Sequence, residues 1–245
     1  MTPINGVKIA TTNCGIKYKN RDDLLLVTFE NEANIAGVFT SSSMPAAPVS
    51  WCKKNISQGT VKSLIVNSGN ANAFTGKYGE EIVEKSAQKI SEILGCKEQQ
   101  VFISSTGVIG ETFDHALITS KLSDLVENSS NNEESWKNAA KAIMTTDSKP
   151  KSISESCEIS GKEISITGFA KGSGMIAPNM ATMLGYIFCD ANIPSNILSQ
   201  ILKELCEDSF NSITVDSDQS TNDSVLLIAT KKVEHSEICD INDPA

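Results

Sequence analysis

Apolar positions recur at helical spacing in four stretches of the chain. Ile82, Val83, Ile90, Ile93 and Leu94 form one stripe, ended by Gly95. Phe113, Leu117, Ile118, Leu122, Leu125 and Val126 form a second. Trp136, Ala139, Ala140 and Ile143 form a third, opened by the cap candidates Asn131 and Asn132; Ile197, Leu198, Ile201, Leu202, Leu205 and Phe210 form a fourth, just after Pro194. Spacings of three and four put such side chains on one face of a helix. Shorter runs with strand character lie between them, at residues 24–29, 35–40, 63–67, 101–105, 183–188 and 225–230. Residues 157–160 and 163–167 read as a hairpin turning at Gly161-Lys162. Strands therefore occur both as hairpins and interleaved with helices, which predicts a layered α/β or α+β fold. The polar stretch 128–134 reads as a helix-to-helix loop, no internal repeat is visible, and the polar residues 239–245 suggest a chain cut short.

Composition narrows the function classes. The chain has 245 residues, enough for one large domain or two small ones. Lys and Arg number 21 against 30 Asp and Glu, a net charge of −9, and the densest basic stretch is only Lys17 to Arg21. Such a balance disfavours nucleic-acid backbones. The longest aliphatic runs, 24–27 and 225–229, fall far short of the ~20 residues of a membrane helix. The N-terminus lacks the charged-then-apolar layout of a signal peptide. Seven cysteines, an odd number with no C-x-x-C pair, argue against a disulfide framework and a zinc ribbon and point to free thiols in the cytoplasm. The sequons at Asn55 and Asn128 then carry no meaning.

Chemistry is restricted by what is scarce. Only His115 and His235 are available as imidazoles, one in a helical pattern and one in a polar tail, so a Ser-His-Asp triad or a histidine metal site is disfavoured. The most unusual segment is Lys171-Gly-Ser-Gly-Met-Ile-Ala-Pro-Asn-Met-Ala-Thr-Met-Leu. Gly172, Gly174 and Ala177 satisfy a dinucleotide fingerprint, with Asp190 near the ribose-acid position. However, Pro178 interrupts the required helix and the next strand follows too soon for a crossover. Residues 216–223 resemble the start of a calcium loop but carry Thr221 at the sixth position and Leu227 at the twelfth, where Gly and Glu are needed. A third reading is an N-terminal nucleophile. A break before Thr182 would free an α-amine with a pKa of ~7.7–8.0, able to take the hydroxyl proton without a histidine. The plainer alternative is a Gly-rich loop whose Thr182 merely starts a strand.

Distinctive motifs run along almost the whole chain: Gly15-Ile-Lys-Tyr, Arg21-Asp-Asp-Leu, Gly37-Val-Phe-Thr, Ala47-Pro-Val, Val66-Asn-Ser-Gly-Asn-Ala-Asn-Ala and Ser105-Thr-Gly-Val-Ile-Gly. They continue with Ala142-Ile-Met-Thr-Thr-Asp, the Lys171–Leu184 segment and Ser209-Phe-Asn-Ser-Ile-Thr-Val-Asp. In this ordered set the sequence resembles the ornithine acetyltransferase family, the bifunctional glutamate N-acetyltransferases of arginine biosynthesis. The resemblance implies an αββα-type sandwich and a precursor that cuts itself between Ala181 and Thr182, giving pieces 1–181 and 182–245. Thr182 would then carry acetyl from N-acetylornithine to glutamate by a ping-pong route. Thr106 and Gly107 would form the oxyanion hole. Thr145, with Thr146 as the alternative, and Lys171 would bind substrate, the lysine suiting the shared α-carboxylate. No cofactor is implied, though acetyl-coenzyme A is a possible donor. The expected assembly is a heterotetramer of two α and two β chains, with no membrane or nucleic-acid partner.

Departures from the family pattern are small: Ser148 and Ser224 stand where threonine is usual, Gln219 replaces threonine, and Ser217 replaces glycine. Ser217 matters if that position needs a positive φ. A later Asp-Gly-Glu-Gly-Ala-Thr-Lys motif of the family, and its C-terminal substrate residues, are not in this sequence, so the chain is expected to be an N-terminal portion not competent for turnover. The alternatives are a self-processing amidase or aminopeptidase of the wider superfamily, and an inactive remnant.

Overall fold

Strand β2, Leu24–Phe39, runs through the middle of the computed structural model, which describes residues 1–176 and 183–243. The sequence suggests two strands here, divided by the polar residues around Glu30 and Glu32. The structure keeps one strand with an irregularity between Thr28 and Ala33, because a bulge lets polar residues bow outward without ending the ladder. The first half of β2 pairs antiparallel with β1 (Val7–Thr12) and β3 (Thr60–Asn70). The second half pairs antiparallel with β8 (Ser224–Val233).

The sheet order is β4-β3-β2-β8-β7-β6-β5, with β4 at Val101–Val108, β5 at Lys151–Ile159, β6 at Lys162–Lys171 and β7 at Leu184–Ala191. Two pairs are parallel, β3 with β4 and β7 with β8. Each needs a crossover, supplied by helices α2 (Gly76–Leu94) and α6 (Ser195–Asp208).

Alternation along β2 explains the layers, since successive side chains point to opposite faces. Leu24 and Leu26 join Ile65, Ile103 and the Ile82, Val83 and Ile90 stripe of α2. Leu25 and Val27 face a second core shared with Phe169, Tyr186, Phe188, Leu226 and Ile228. Beyond those strands, Cys189, Val225 and Ala229 meet Leu198, Leu202 and Cys206 of α6. The order is helix, strand, strand, helix, as the family resemblance implies, but the two strand layers are halves of one continuous sheet that share β2. Trp136, on α5 (Glu133–Ala142), plugs the inner core with its ring edge-on to Phe188 at 5.2 Å and to Phe169 at 6.2 Å.

Local signals account for most boundaries. Helix α2 stops at Gly95, whose φ of 63° is left-handed and whose N–H reaches the Ser91 carbonyl. Asn132 caps α5 by accepting from the Ser135 N–H at 2.8 Å. The stripe expected over 113–126 forms two short helices, α3 (Ala116–Thr119) and α4 (Leu122–Glu127), interrupted at Ser120 and Lys121 while Ile118, Leu122 and Leu125 keep one buried face. Helix α6 ends at Asp208, so Phe210 falls in the following 3-10 turn. The hairpin turns at Ser160-Gly161 rather than Gly161-Lys162, both residues being left-handed (φ 51° and 75°) as a type I′ turn requires. Strand β1 and helix α1 (Ala47–Asn55) were not evident in the sequence pattern.

All seven cysteines are thiols. Burial pushes Cys52 and Cys189 up to about 12 and Cys206 up to about 11, so these thiols pack as inert apolar groups. Among the described residues no helix is long and apolar enough to cross a membrane.

Candidate active site

The ends of β3, β4 and β6 and the start of β7 converge on a cavity of about 330 Å³. Thr106, Gly107, Thr145, Thr146 and Lys171 all line it. These residues come from three separate parts of the sequence, and the fold brings them to one wall. Ala181 and Thr182 lie outside the described residues; Met175 and Met183, on either side of that segment, both line the cavity.

The tip of β4 is fixed by backbone crowding. Gly107 has a φ of 136°, and a Cβ there would stand 2.2 Å from the Gly69 carbonyl carbon and 2.5 Å from the Asn70 nitrogen. Only glycine lets the parallel strands β3 and β4 approach this closely where their register breaks. Asparagines at the end of β3 tie the same tip down. Asn67 accepts from the Ser105 hydroxyl at 2.6 Å, and the Asn70 side-chain amide donates to the Glu111 carbonyl at 3.0 Å. From the far end of the chain, the Asn222 amide donates to the Ala71 and Ser105 carbonyls at 2.6 and 2.9 Å. Thr106 is thus presented by a rigid strand end rather than by a mobile turn.

Lys171, the last residue of β6, is only 5% exposed, and its Nζ donates to Thr106 Oγ1 at 2.9 Å. Burial holds its ammonium below the ordinary lysine value, against the opposing pull of the Asp147 and Asp223 carboxylates. Asp147 organises the wall beside it. Its side chain is 1% exposed and accepts from the Gly172 N–H at 2.8 Å, the Thr145 N–H at 3.3 Å and Lys151 Nζ at 2.5 Å. Burial alone would raise this carboxyl; the Lys151 and backbone hydrogen bonds outweigh it and hold the group below the ordinary aspartate value.

Several lining residues escaped the sequence reading. Lys17 and Tyr18 come from the loop before β2, where Asp23 accepts from the Cys14 and Ile16 N–H groups and the Arg21 guanidinium stacks 3.6 Å from the Tyr18 ring. Arg21 also donates to the Met144 carbonyl, fixing the approach to Thr145. Ser220, Asn222 and Asp223 complete the wall. Each sits inside a motif already recognisable in the sequence, which was the signal available. Neither histidine lines the cavity: His115 precedes α3, and His235 accepts from the Asn192 N–H. Gly172 and Gly174 follow β6, which pairs antiparallel with β7 rather than in the parallel manner of a dinucleotide crossover, and Asp190 is buried and accepts from the Ser165 N–H. Asp216 spends its oxygens on backbone N–H groups.

Comparison with known proteins gives consistent matches. The ArgJ family model matches residues 8–243. The arginine biosynthesis bifunctional protein ArgJ of Rhizobium meliloti (strain 1021) is 48% identical over 230 residues, covering 94% of this chain but 55% of the relative, so the chain spans little more than half that protein's length. The crystal structure of the Bacillus halodurans ArgJ bifunctional protein superimposes with a TM-score of 0.68 at 35% identity, over 73% of this chain and 92% of that one. Ornithine acetyltransferase from Mycobacterium tuberculosis, solved with ornithine, gives a TM-score of 0.63 at 29% identity, over 74% of this chain and 93% of that one.

Proposed function

Because the chain belongs to the ArgJ family of arginine-biosynthesis enzymes, we propose that it is the sequence of a self-processing glutamate N-acetyltransferase that passes acetyl from N-acetylornithine to glutamate through Thr182. The observation that carries this reading is the contact between Lys171 and Thr106 inside the cavity. In an N-acetylated amino acid the acetyl carbonyl and the α-carboxylate hang from the same N–Cα unit. A receptor for it therefore needs an oxyanion donor next to a cation. Thr106 with Gly107 supplies the first and Lys171 the second.

Processing comes first in this scheme. The Thr182 hydroxyl oxygen adds to the Ala181 carbonyl carbon, the peptide C–N bond breaks, and the hydroxyl proton passes to the departing nitrogen. Water hydrolyses the resulting ester, leaving a carboxylate on Ala181 and a free amine on Thr182. That amine then takes the hydroxyl proton as Thr182 attacks the acetyl carbonyl. Negative charge develops on the carbonyl oxygen facing Thr106 and Gly107. Collapse expels the α-amine of ornithine, which receives the proton, and the α-amine of glutamate later attacks the acetyl ester and restores the hydroxyl.

Relative chain lengths support division into pieces 1–181 and 182–245. The solved relatives are covered almost completely by about the share of this chain that residues 1–181 make up, whereas the Rhizobium relative extends far beyond the match. A first chain released by a cut at this point has that length. The reading further includes Thr145 or Thr146 as a substrate contact, acetyl-coenzyme A as a second donor, an assembly of two α and two β chains, and a cytoplasmic setting. The test is to follow the full protein by mass spectrometry and assay transfer from N-acetylornithine to glutamate. A fragment beginning at Thr182 and transfer lost in Thr182→Ala are expected; an intact active enzyme, or a Thr182→Ala variant that still cuts, rejects the reading.

A further inference from the structure

We propose that Asp216 is a positioning residue for self-processing: from beyond the expected cut, its carboxylate holds the chain that runs into it. The proposal rests on processing at Ala181–Thr182. Asp216 Oδ2 accepts from the Met175 N–H at 2.6 Å and Oδ1 accepts from the Ile176 N–H at 2.9 Å. The Ile176 carbonyl is held in return by the Val215 N–H at 2.9 Å. Residues 175 and 176 are thus fixed through both N–H groups and one carbonyl, all by partners from the piece that follows the cut.

The conformation at this contact is costly, which argues that it is specified. Met175 and Ser217 both have left-handed backbones, with φ of 58° and 62°. Non-glycine residues adopt this region only when their surroundings over-determine it. Here the left-handed Met175 accompanies two successive N–H groups on a single carboxylate. The opposite end of the same short segment is fixed by Asp147, which accepts from the Gly172 N–H at 2.8 Å. Between the anchors lie Gly172, Ser173 and Gly174, a sequence with little intrinsic stiffness. Two carboxylates, one from each side of the cut, therefore hold the segment that its own sequence leaves loose.

Self-processing is where such an anchor acts. Attack of a hydroxyl on a neighbouring peptide carbonyl requires the reacting atoms at about 3–3.5 Å, and small misplacements cost large factors in rate. Asp216 is exposed and outside the hydrophobic clusters, and it does not line the cavity. Its substitution removes no side chain from the core or from the cavity lining. An asparagine of the same size keeps only one acceptor oxygen and turns an NH2 group toward one of the two donors.

The experiment follows appearance of the Thr182 fragment by intact-protein mass spectrometry in wild type, Asp216→Asn and Asp216→Glu, with the thermal midpoint measured on each uncut chain. Asp216→Asn is expected to cut at least about tenfold more slowly with a midpoint within about 2 °C of wild type. Asp216→Glu, which retains two acceptor oxygens, is expected to recover part of the rate. Equal rates in wild type and Asp216→Asn overturn the proposal, as does slow cutting that is matched by a large fall in midpoint and no recovery by glutamate. A folded wild type that never cuts overturns the processing reading itself, and this inference with it.

Discussion

Lys171 Nζ donates to Thr106 Oγ1 across 2.9 Å, and both side chains are buried. An ammonium has only donors, so the threonine oxygen must accept and its own hydrogen is turned to another acceptor. An oxyanion in the cavity is such an acceptor. Thr106→Ala should therefore lower kcat by ~10²–10³ with little change in KM. Lys171→Ala should chiefly raise KM for both substrates through the lost carboxylate contact. Because the two residues touch, the double variant should lose less than the sum of the single losses in kcat/KM. Strict additivity in steady-state assays would separate the two roles.

The pH profile should be bell-shaped. In the proposed scheme the rising limb would belong to the Thr182 amine, which has to lose its proton to act as base, near ~7.7–8.0 if unperturbed. The falling limb would belong to Lys171, which in the same scheme has to stay charged to hold a carboxylate. Burial lowers its affinity for the proton, so this limb should arrive below the ordinary lysine value of 10.5. Lys171→Arg, which stays charged, should remove the falling limb from kcat/KM.

Asp147 is held below the ordinary aspartate value in the folded state. Its contribution to stability is therefore fully present above the unfolded-state carboxyl pKa and fades as pH falls through the lowered folded value. Asp147→Asn should cost about 1 kcal/mol near neutrality, since one of two part-buried N–H groups loses its acceptor. It should also flatten the acid limb of a stability curve measured by thermal unfolding between pH 7 and 3.

Gly107→Ala should be damaging well beyond the loss of a flexible residue. The added Cβ overlaps the backbone of Gly69 and Asn70, and φ is 136°. Overpacking and backbone strain together should cost about 3 kcal/mol or more. Circular dichroism melts should show this before any assay of transfer.

Ser217→Gly offers the opposite sign. Ser217 has a φ of 62° where the family pattern carries glycine. Relief of the left-handed strain should exceed the added freedom of the unfolded chain, raising stability by about 0.5–1 kcal/mol. Denaturant unfolding checks it; a lowered midpoint would mean that the serine hydroxyl contributes more than its backbone costs.

What the sequence disclosed depended on how locally each feature is specified. Helices α2 and α5 were readable with their ends, because Gly95 and Asn132 act on adjacent backbone. Strand β5 was under-read, beginning at Lys151 rather than 157, because an edge strand exposed on both faces has no apolar alternation to display. Strand β2 looked like two because a bulge and a turn present the same polar interruption. At the site, Thr106, Gly107, Thr145 and Lys171 were accessible from motifs. The roles of Asp147 and Asp216 were not, since each depends on backbone N–H groups 25 and 40 or more residues away, which no local pattern encodes.

The position of β7 and β8 in the sheet has a consequence for the order of events during maturation. Both strands follow residue 182, and they lie between β2 and β6, which precede it. Without them the earlier strands form two ribbons with no shared ladder, β1 to β4 and the β5–β6 hairpin. A cut made on a nascent chain would leave a first product unable to close its own sheet. On the proposed scheme the cut would therefore act as a nick in a finished weave, with six paired positions at each seam still joining the products. Processing of this kind would separate the two pieces covalently while the sheet keeps them together, so it would report that folding had already succeeded.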